Sequence, residues 1–186
     1  MYAMTGGPSA HHDSSLNVAA ALLGRARGTG CRVYHQAFRI RTPRDHVYWP
    51  DAMVACGPRP PHDALWLDDP CVVVEVLSPS TARQDLVEKR QAYREIPTVR
   101  AYLVVESAWR CLYRHWRDDE GGWQQETIAG VVGEILLPCP PGAVLSLDRI
   151  YAELDLPAEP PRPRRVRERA PELHEPGDAL AALDQR

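Results

Sequence analysis

Cys71-Val72-Val73-Val74-Glu75-Val76-Leu77-Ser78-Pro79 decides the fold. Six apolar residues in a run of seven, interrupted only by Glu75 and without polar alternation, read as a strand covered on both faces, at the centre of a sheet. Ser78-Pro79 ends it. A helix is expected next, with Thr81 as N-cap and Gln84 three residues on in a capping-box pattern. Asp85 in its first turn suits the helix dipole, and Pro97 marks the end. A second apolar strand over 99–105 follows, so the middle of the chain reads strand–helix–strand. That alternation predicts an α/β (α+β) fold, a mixed central β-sheet flanked by helices.

Outward from this unit, a helix is predicted over 13–27, with Leu16, Ala19, Ala20 and Leu23 on its apolar stripe and Gly28 and Gly30 ending it. Strands over 31–41 and 46–56 flank Pro43-Arg44-Asp45 and form a predicted hairpin. Residues 57–69, rich in Pro and Asp, read as a loop. Strands over 111–117 and 123–128 turn at Gly121-Gly122, and a short helix near 147–154 closes the domain. Residues 1–156 form one domain. From 157 to 186, prolines interrupt a stretch dense in Arg and Glu, and a largely disordered tail is expected, with one short helical segment over 178–183. The Arg-rich run 162–169 could serve as a nucleic-acid arm, but its interspersed glutamates favour a solvated mixed-charge tail.

The chain has 186 residues, 44% of them hydrophobic, and a formal net charge of −3. That allows one core of good size and excludes a global basic field that would draw in nucleic acid. A local basic groove is not excluded. No apolar run approaches the roughly 20 residues that a bilayer requires, and no signal peptide is expected. Cys31, Cys56, Cys71, Cys111 and Cys139 include no C-x-x-C pair and are odd in number. Reduced thiols in a cytoplasmic protein are the expectation, not a zinc ribbon or a disulfide framework.

Glu75 is the most informative residue. A carboxylate inside an apolar strand costs several kcal/mol unless it is paired, protonated or bound to a metal. An ion pair with Lys or Arg, or an edge strand facing solvent, would also explain it. Asp51 follows Pro50 inside another predicted strand, where proline forces an edge or a bulge and can turn a carboxylate out of the ladder. Two carboxylates from neighbouring strands repel unless a cation lies between them, and hard oxygen ligands suit Mg²⁺ or Mn²⁺. Alone, Asp51 could equally be a strand-end residue. Lys89 shares an inward helical face with Ala82, Leu86 and Tyr93, at spacings of four, three and four. It can reach the two acids, or form an i, i+4 pair with Asp85. His11, expected just before the first helix, is a candidate phosphate contact or an ordinary exposed histidine. Gln36 and Arg39 could face the cleft or be ordinary strand residues.

Pro50-Asp51, the Val73–Thr81 run, Asp85, Glu88-Lys89 and Tyr93 closely resemble the Uma-two family, a bacterial group of restriction-endonuclease-like proteins in the PD-(D/E)XK superfamily. Ala3-Met4, His11 and Ala101-Tyr102-Leu103-Val104-Val105 fit the same pattern, and the resemblance runs over about residues 2–156. It implies a restriction-endonuclease-like mixed sheet, with Asp51 and Glu75 as metal ligands and catalytic residues. The superfamily motif places a lysine two residues after the acid. Here that position is Leu77, and the resemblance moves the role to Lys89. His11 and Gln36 are accessory candidates. The implied activity is Mg²⁺- or Mn²⁺-dependent hydrolysis of DNA phosphodiester bonds. The alternative is a non-catalytic regulatory or binding member that retains the nuclease fold. Related sequences carry a further strand segment with Tyr-Glu and Asp-Gly-Glu ahead of the position of Tyr2; either the start is misassigned, or this is a shortened variant whose site lacks those acids. A homodimer gripping a duplex is a further expectation.

Overall fold

The valine run is β5 (Pro70–Val76), and both of its edges are paired. In this computed structural model residues 8–78 and 84–160 are described. They comprise α1 (Pro8–Ala26), β1 (Cys31–His35), β2 (Ile40–Arg41), β3 (Val47–Tyr48), β4 (Ala52–Cys56), β5, a π-helical segment (Gln84–Lys89) running into α2 (Arg90–Arg94), β6 (Ala101–Val105), β7 (Cys111–Arg117), β8 (Trp123–Ala129), β9 (Glu134–Leu136), β10 (Val144–Ser146) and α3 (Leu147–Ile150). The main sheet has six strands in the order β1-β4-β5-β6-β7-β8. Only β5 and β6 pair in parallel, and the chain between them carries the π-helical segment and α2. This is the mixed sheet flanked by helices that the strand–helix–strand pattern predicts.

Each face of the sheet has its own core. Ala52, Val54, Val72, Val74, Val76, Leu103 and Val105 pack against Val18, Leu22 and Ala26 of α1 and against α3 and the β9–β10 ladder. On the other face Met53, Val73, Tyr102 and Val104 meet Tyr93 of α2 with Ile96 and Val99. Val72, Val73, Val74 and Val76 are at most 1% exposed. Each contributes about 1.5–3 kcal/mol by burial, so together they outweigh the several kcal/mol that one buried charge in the same strand costs. Glu75 alternates with Val74 and Val76 and therefore turns toward α2. Tyr151, just after α3, locks the end of the described domain. Its hydroxyl accepts from Cys111 N–H at 3.0 Å and lies 2.6 Å from the Cys111 carbonyl and 2.9 Å from that of Glu106.

Three expectations need correction. The first helix forms, but its buried stripe is Val18, Ala19, Leu22 and Ala26, while Leu16 is 50% and Leu23 45% exposed. Two interleaved apolar stripes share this helix, and only the one facing β1, β4 and β5 is covered. The long hairpin over 31–56 is split. Gln36 at φ 48° and Pro50 interrupt the strands, leaving β2–β3 as a separate two-stranded ladder around the 43–45 turn while β1 and β4 pair directly. The expected set of unpaired thiols is replaced by disulfides Cys31–Cys56 and Cys71–Cys139, with Cys111 free and buried. Sheet register sets the first pairing: Cys31 lies directly opposite Cys56 in the β1–β4 ladder, a relation invisible in sequence spacing. The ladder β9–β10 is also new. Thr81, Ala82 and the tail from residue 161 lie outside the described residues. Among the described residues no helix is long and apolar enough to cross a membrane.

Candidate metal centre

Asp51 is placed by what Pro50 lacks. The β4–β5 register pairs Ala52 with Val74, and continuing it sets Pro50 opposite Val76. The chain has broken from the ladder there, and the Asp51 side chain takes over the vacated position. Val76 N–H donates to Asp51 Oδ2 at 2.8 Å. The Gln36 side-chain amide donates to Oδ1 at 3.2 Å, and the Gln36 backbone N–H donates to the Asp51 carbonyl at 3.0 Å. From α1, His11 brings Nε2 to 3.6 Å of Oδ2. His11 is thus half-buried inside the first turns of α1, not in a preceding loop. Its helical neighbour Ser15 meets His35 Nε2 at 2.8 Å, which ties α1 to the end of β1 beside Gln36.

Glu75 is 3% exposed and is reached from the connecting helix. Its Oε1 accepts from Tyr93 Oη at 2.9 Å and from Lys89 Nζ at 2.9 Å. The same Nζ lies 2.7 Å from Asp85 Oδ1, so the two alternatives for Lys89 hold together: it bridges Glu75 and Asp85. Tyr102 donates to the Asp85 carbonyl at 2.9 Å and supports the π-helical segment from β6. Short π-helical insertions in α-helices recur at functional sites.

Burial pushes the Glu75 carboxyl up to about 8, with Lys89 opposing and Asp85 and Asp51 adding to the rise. Burial lowers the Lys89 ammonium, but Glu75 and Asp85 more than reverse this and its pKa ends above the ordinary value. Tyr93 is held well above its usual range by burial and by Glu75. Asp51, Glu75 and Asp85 are all buried, and one lysine bridges two of them. Fully ionised, three carboxylates against one ammonium leave an excess of two negative charges, which a divalent cation would neutralise.

The donor set fits a hard cation. Among the described residues, three ligating side chains converge within 4.8 Å only at Cys56, Cys71 and Cys139. Asp51 and Glu75 are the carboxylates that would hold such an ion, with its remaining positions left to water. Mg²⁺ sites are commonly built this way. The structure brings Asp51, Glu75, Lys89, His11 and Gln36 to one end of β1, β4 and β5. It does not place Arg39 among the acids: its guanidinium stacks on Trp49 at 4.3 Å and Trp66 at 5.4 Å. Residue-by-residue reading missed the shared role of Asp85 and the Tyr93 contact. Their signals were the i, i+4 relation of Asp85 to Lys89 and of Lys89 to Tyr93.

The class this fold and site define is a restriction-endonuclease-like α/β protein. A crystal structure described as "a putative nuclease belonging to DUF820" from Anabaena variabilis superposes with a TM-score of 0.57 at 15% identity, covering 76% of this chain and 80% of that one. At that identity the likeness concerns the fold. The Uma2 family model, described as "Putative restriction endonuclease", matches residues 1–158, and the chain belongs to that family. An uncharacterised Synechocystis protein, slr1290, is 32% identical over 124 residues; the match spans 66% of this chain and 65% of that relative's length.

Proposed function

We propose that this protein is a divalent-metal-dependent endonuclease that hydrolyses DNA phosphodiester bonds, with Asp51 and Glu75 as the metal-holding acids. The observation that carries this reading is the buried Glu75 at the end of β5, next to the ladder-breaking Asp51 and bridged by Lys89. A bound Mg²⁺ or Mn²⁺ would supply Lewis-acid stabilisation of a phosphoryl oxygen and a more acidic water. The chain's own groups do the rest. Gln36 and Val76 N–H fix the Asp51 carboxylate, and Tyr93 fixes Glu75. Lys89 holds Glu75 and presents a cation to developing negative charge. His11, half-buried beside Asp51, would contact a phosphate. Trp49, exposed two residues before Asp51 and stacked with Arg39, offers an aromatic and cationic rim for a nucleic-acid strand. A second copy gripping the other strand belongs to the same proposal.

One observation favours a different reading. Glu75 is already engaged by Lys89 and Tyr93, so the triad could be a structural ion-pair network in a non-catalytic binding protein. Cleavage of supercoiled plasmid with Mg²⁺ or Mn²⁺ separates the two. The nuclease reading expects Asp51→Ala and Glu75→Ala to lose more activity than the roughly 10–100-fold typical of a ligand's supporting contacts. Equal activity in the wild type and both variants would refute it. Calorimetry supplies the second arm: a metal-binding isotherm abolished by Glu75→Ala counts against the structural reading.

A further inference from the structure

Four of the five cysteines gather at the end of the sheet opposite the acids. Cys31 opens β1, Cys56 closes β4, Cys71 is second in β5, and Cys139 lies in the loop between β9 and β10. Cys71 and Glu75 are four residues apart on one strand, about 13 Å at about 3.3 Å per residue, so the cluster is separate from the metal centre proposed above. Its four members come from four different elements, with separations of 25 and 68 residues within the two disulfides. No local motif explains their meeting.

The two disulfides are also adjacent to each other. Cys56 Sγ lies 3.8 Å from Cys71 Sγ, and the sulfurs of Cys56, Cys71 and Cys139 all lie within 4.8 Å of one another. Two independent staples have no need to touch. A tetrahedral zinc site with Zn–S of about 2.3 Å has S···S edges of about 3.8 Å, which matches the Cys56–Cys71 separation; Cys31, bonded to Cys56, lies outside the three-sulfur group and would supply the fourth thiolate once that bond is reduced. Cys31 and Cys139 are buried, Cys71 is half-buried and Cys56 is exposed, so the cluster has both a sheltered floor and an entrance.

We propose that Cys31, Cys56, Cys71 and Cys139 form a tetrathiolate Zn²⁺ site in the reduced protein, and that the two disulfides are its oxidised, metal-free form. A dithiol reductant would deliver two electrons and two protons to each disulfide and become a disulfide itself. Zn²⁺ would then displace four thiol protons to solvent, and four thiolates would hold it. Oxidation by a disulfide oxidant runs the balance backwards and releases the zinc. The disulfides join β1 to β4 and β5 to the β9–β10 loop, and a shared zinc would join all four elements. Soft thiolates select zinc where the hard acids select Mg²⁺ or Mn²⁺, and the two centres take different ions.

The test uses the full-length protein, reduced without oxygen, loaded with Zn²⁺ or Co²⁺ and freed of excess metal. The expected result is one zinc per chain by elemental analysis. Co²⁺ should show the intense visible bands and sulfur charge transfer of a tetrahedral thiolate site. Zinc should also slow alkylation of Cys31, Cys56, Cys71 and Cys139 relative to the reduced, metal-free protein and leave that of the buried Cys111 unchanged, a readout that needs no variant. Cys71→Ser with Cys139→Ser should remove the zinc, while Asp51→Ala with Glu75→Ala should retain it. Protein with both disulfides confirmed by mass spectrometry should bind none. Reduced wild type that is folded by circular dichroism yet holds no zinc, or alkylates at those four thiols as fast with zinc as without it, would overturn the proposal. So would zinc retained by the double serine variant.

Discussion

Replacing Lys89 by methionine isolates the charge that joins the helix to the sheet. Methionine keeps a long unbranched apolar chain, so little cavity forms. What disappears is one ammonium, 11% exposed, that contacts Glu75 at 2.9 Å and Asp85 at 2.7 Å. Each charge-assisted contact contributes about 1.5–3 kcal/mol, and breaking a buried ion pair by removing one partner costs about 3–5 kcal/mol. Glu75 makes the loss depend on pH. Its folded value is raised to about 8 from an ordinary 4.5, so the folded state holds this proton more tightly than the unfolded chain does. The stability from that proton is fully present below 4.5 and is lost as pH rises through 8. Lys89 opposes the rise; without it the Glu75 value climbs further, and the variant has more to lose in alkali. Urea unfolding followed by tryptophan fluorescence, in EDTA, should therefore show a loss of about 1.5–3 kcal/mol at pH 6, where the Asp85 contact dominates. At pH 9 the loss should widen to about 3–5 kcal/mol. A penalty below about 1 kcal/mol at pH 9, or one equal at the two pH values, would refute the bridging role.

Two further outcomes follow from other parts of the fold. Burial, with Arg90 and Arg94 adding, lowers His115 to about 4 from an ordinary 6.5. The unfolded chain takes up this proton first, so stability is full above 6.5 and falls as pH drops toward 4. His115→Phe, which keeps a ring beside Tyr102, should recover stability on the order of 3 kcal/mol between pH 7 and 4 relative to wild type, seen as a lower acid midpoint. At Gly133 a Cβ would land on Ile128 Cγ2 and come within 3.2 Å of Leu147 Cδ1. Gly133→Ala should cost about 1–3 kcal/mol by overpacking, measured as a lower urea midpoint at unchanged slope.

The parts of this architecture that were legible in the sequence are those where one local signal dominates. The valine run could only be a doubly covered strand, and its paired neighbour at 101–105 followed from the intervening helix. Glu75 stood out because its neighbours were all apolar. Asp51 stood out because proline broke its strand. What escaped depended on relations across space. Which stripe of α1 is buried was settled by the sheet beneath it, not by the helix itself. The Cys31–Cys56 pairing came from register between strands, and Cys71–Cys139 from the approach of a distant loop. The three-residue strands β9 and β10 are too short to carry a period. Lys89 showed why competing explanations of one residue need not exclude each other: its ion pair with Asp85 and its reach to Glu75 use the same nitrogen.

Gln36 places two demands on one position. Its backbone occupies φ 48°, which glycine and asparagine enter most easily, while its amide must span the gap to Asp51 Oδ1. Glycine would satisfy the turn and leave the acid unsupported, and asparagine, one methylene shorter, would accept the turn and fall short of the acid. Glutamine pays a small conformational penalty for its reach. Backbone ease and support of Asp51 thus pull this position in different directions, and glutamine meets the second at some cost to the first.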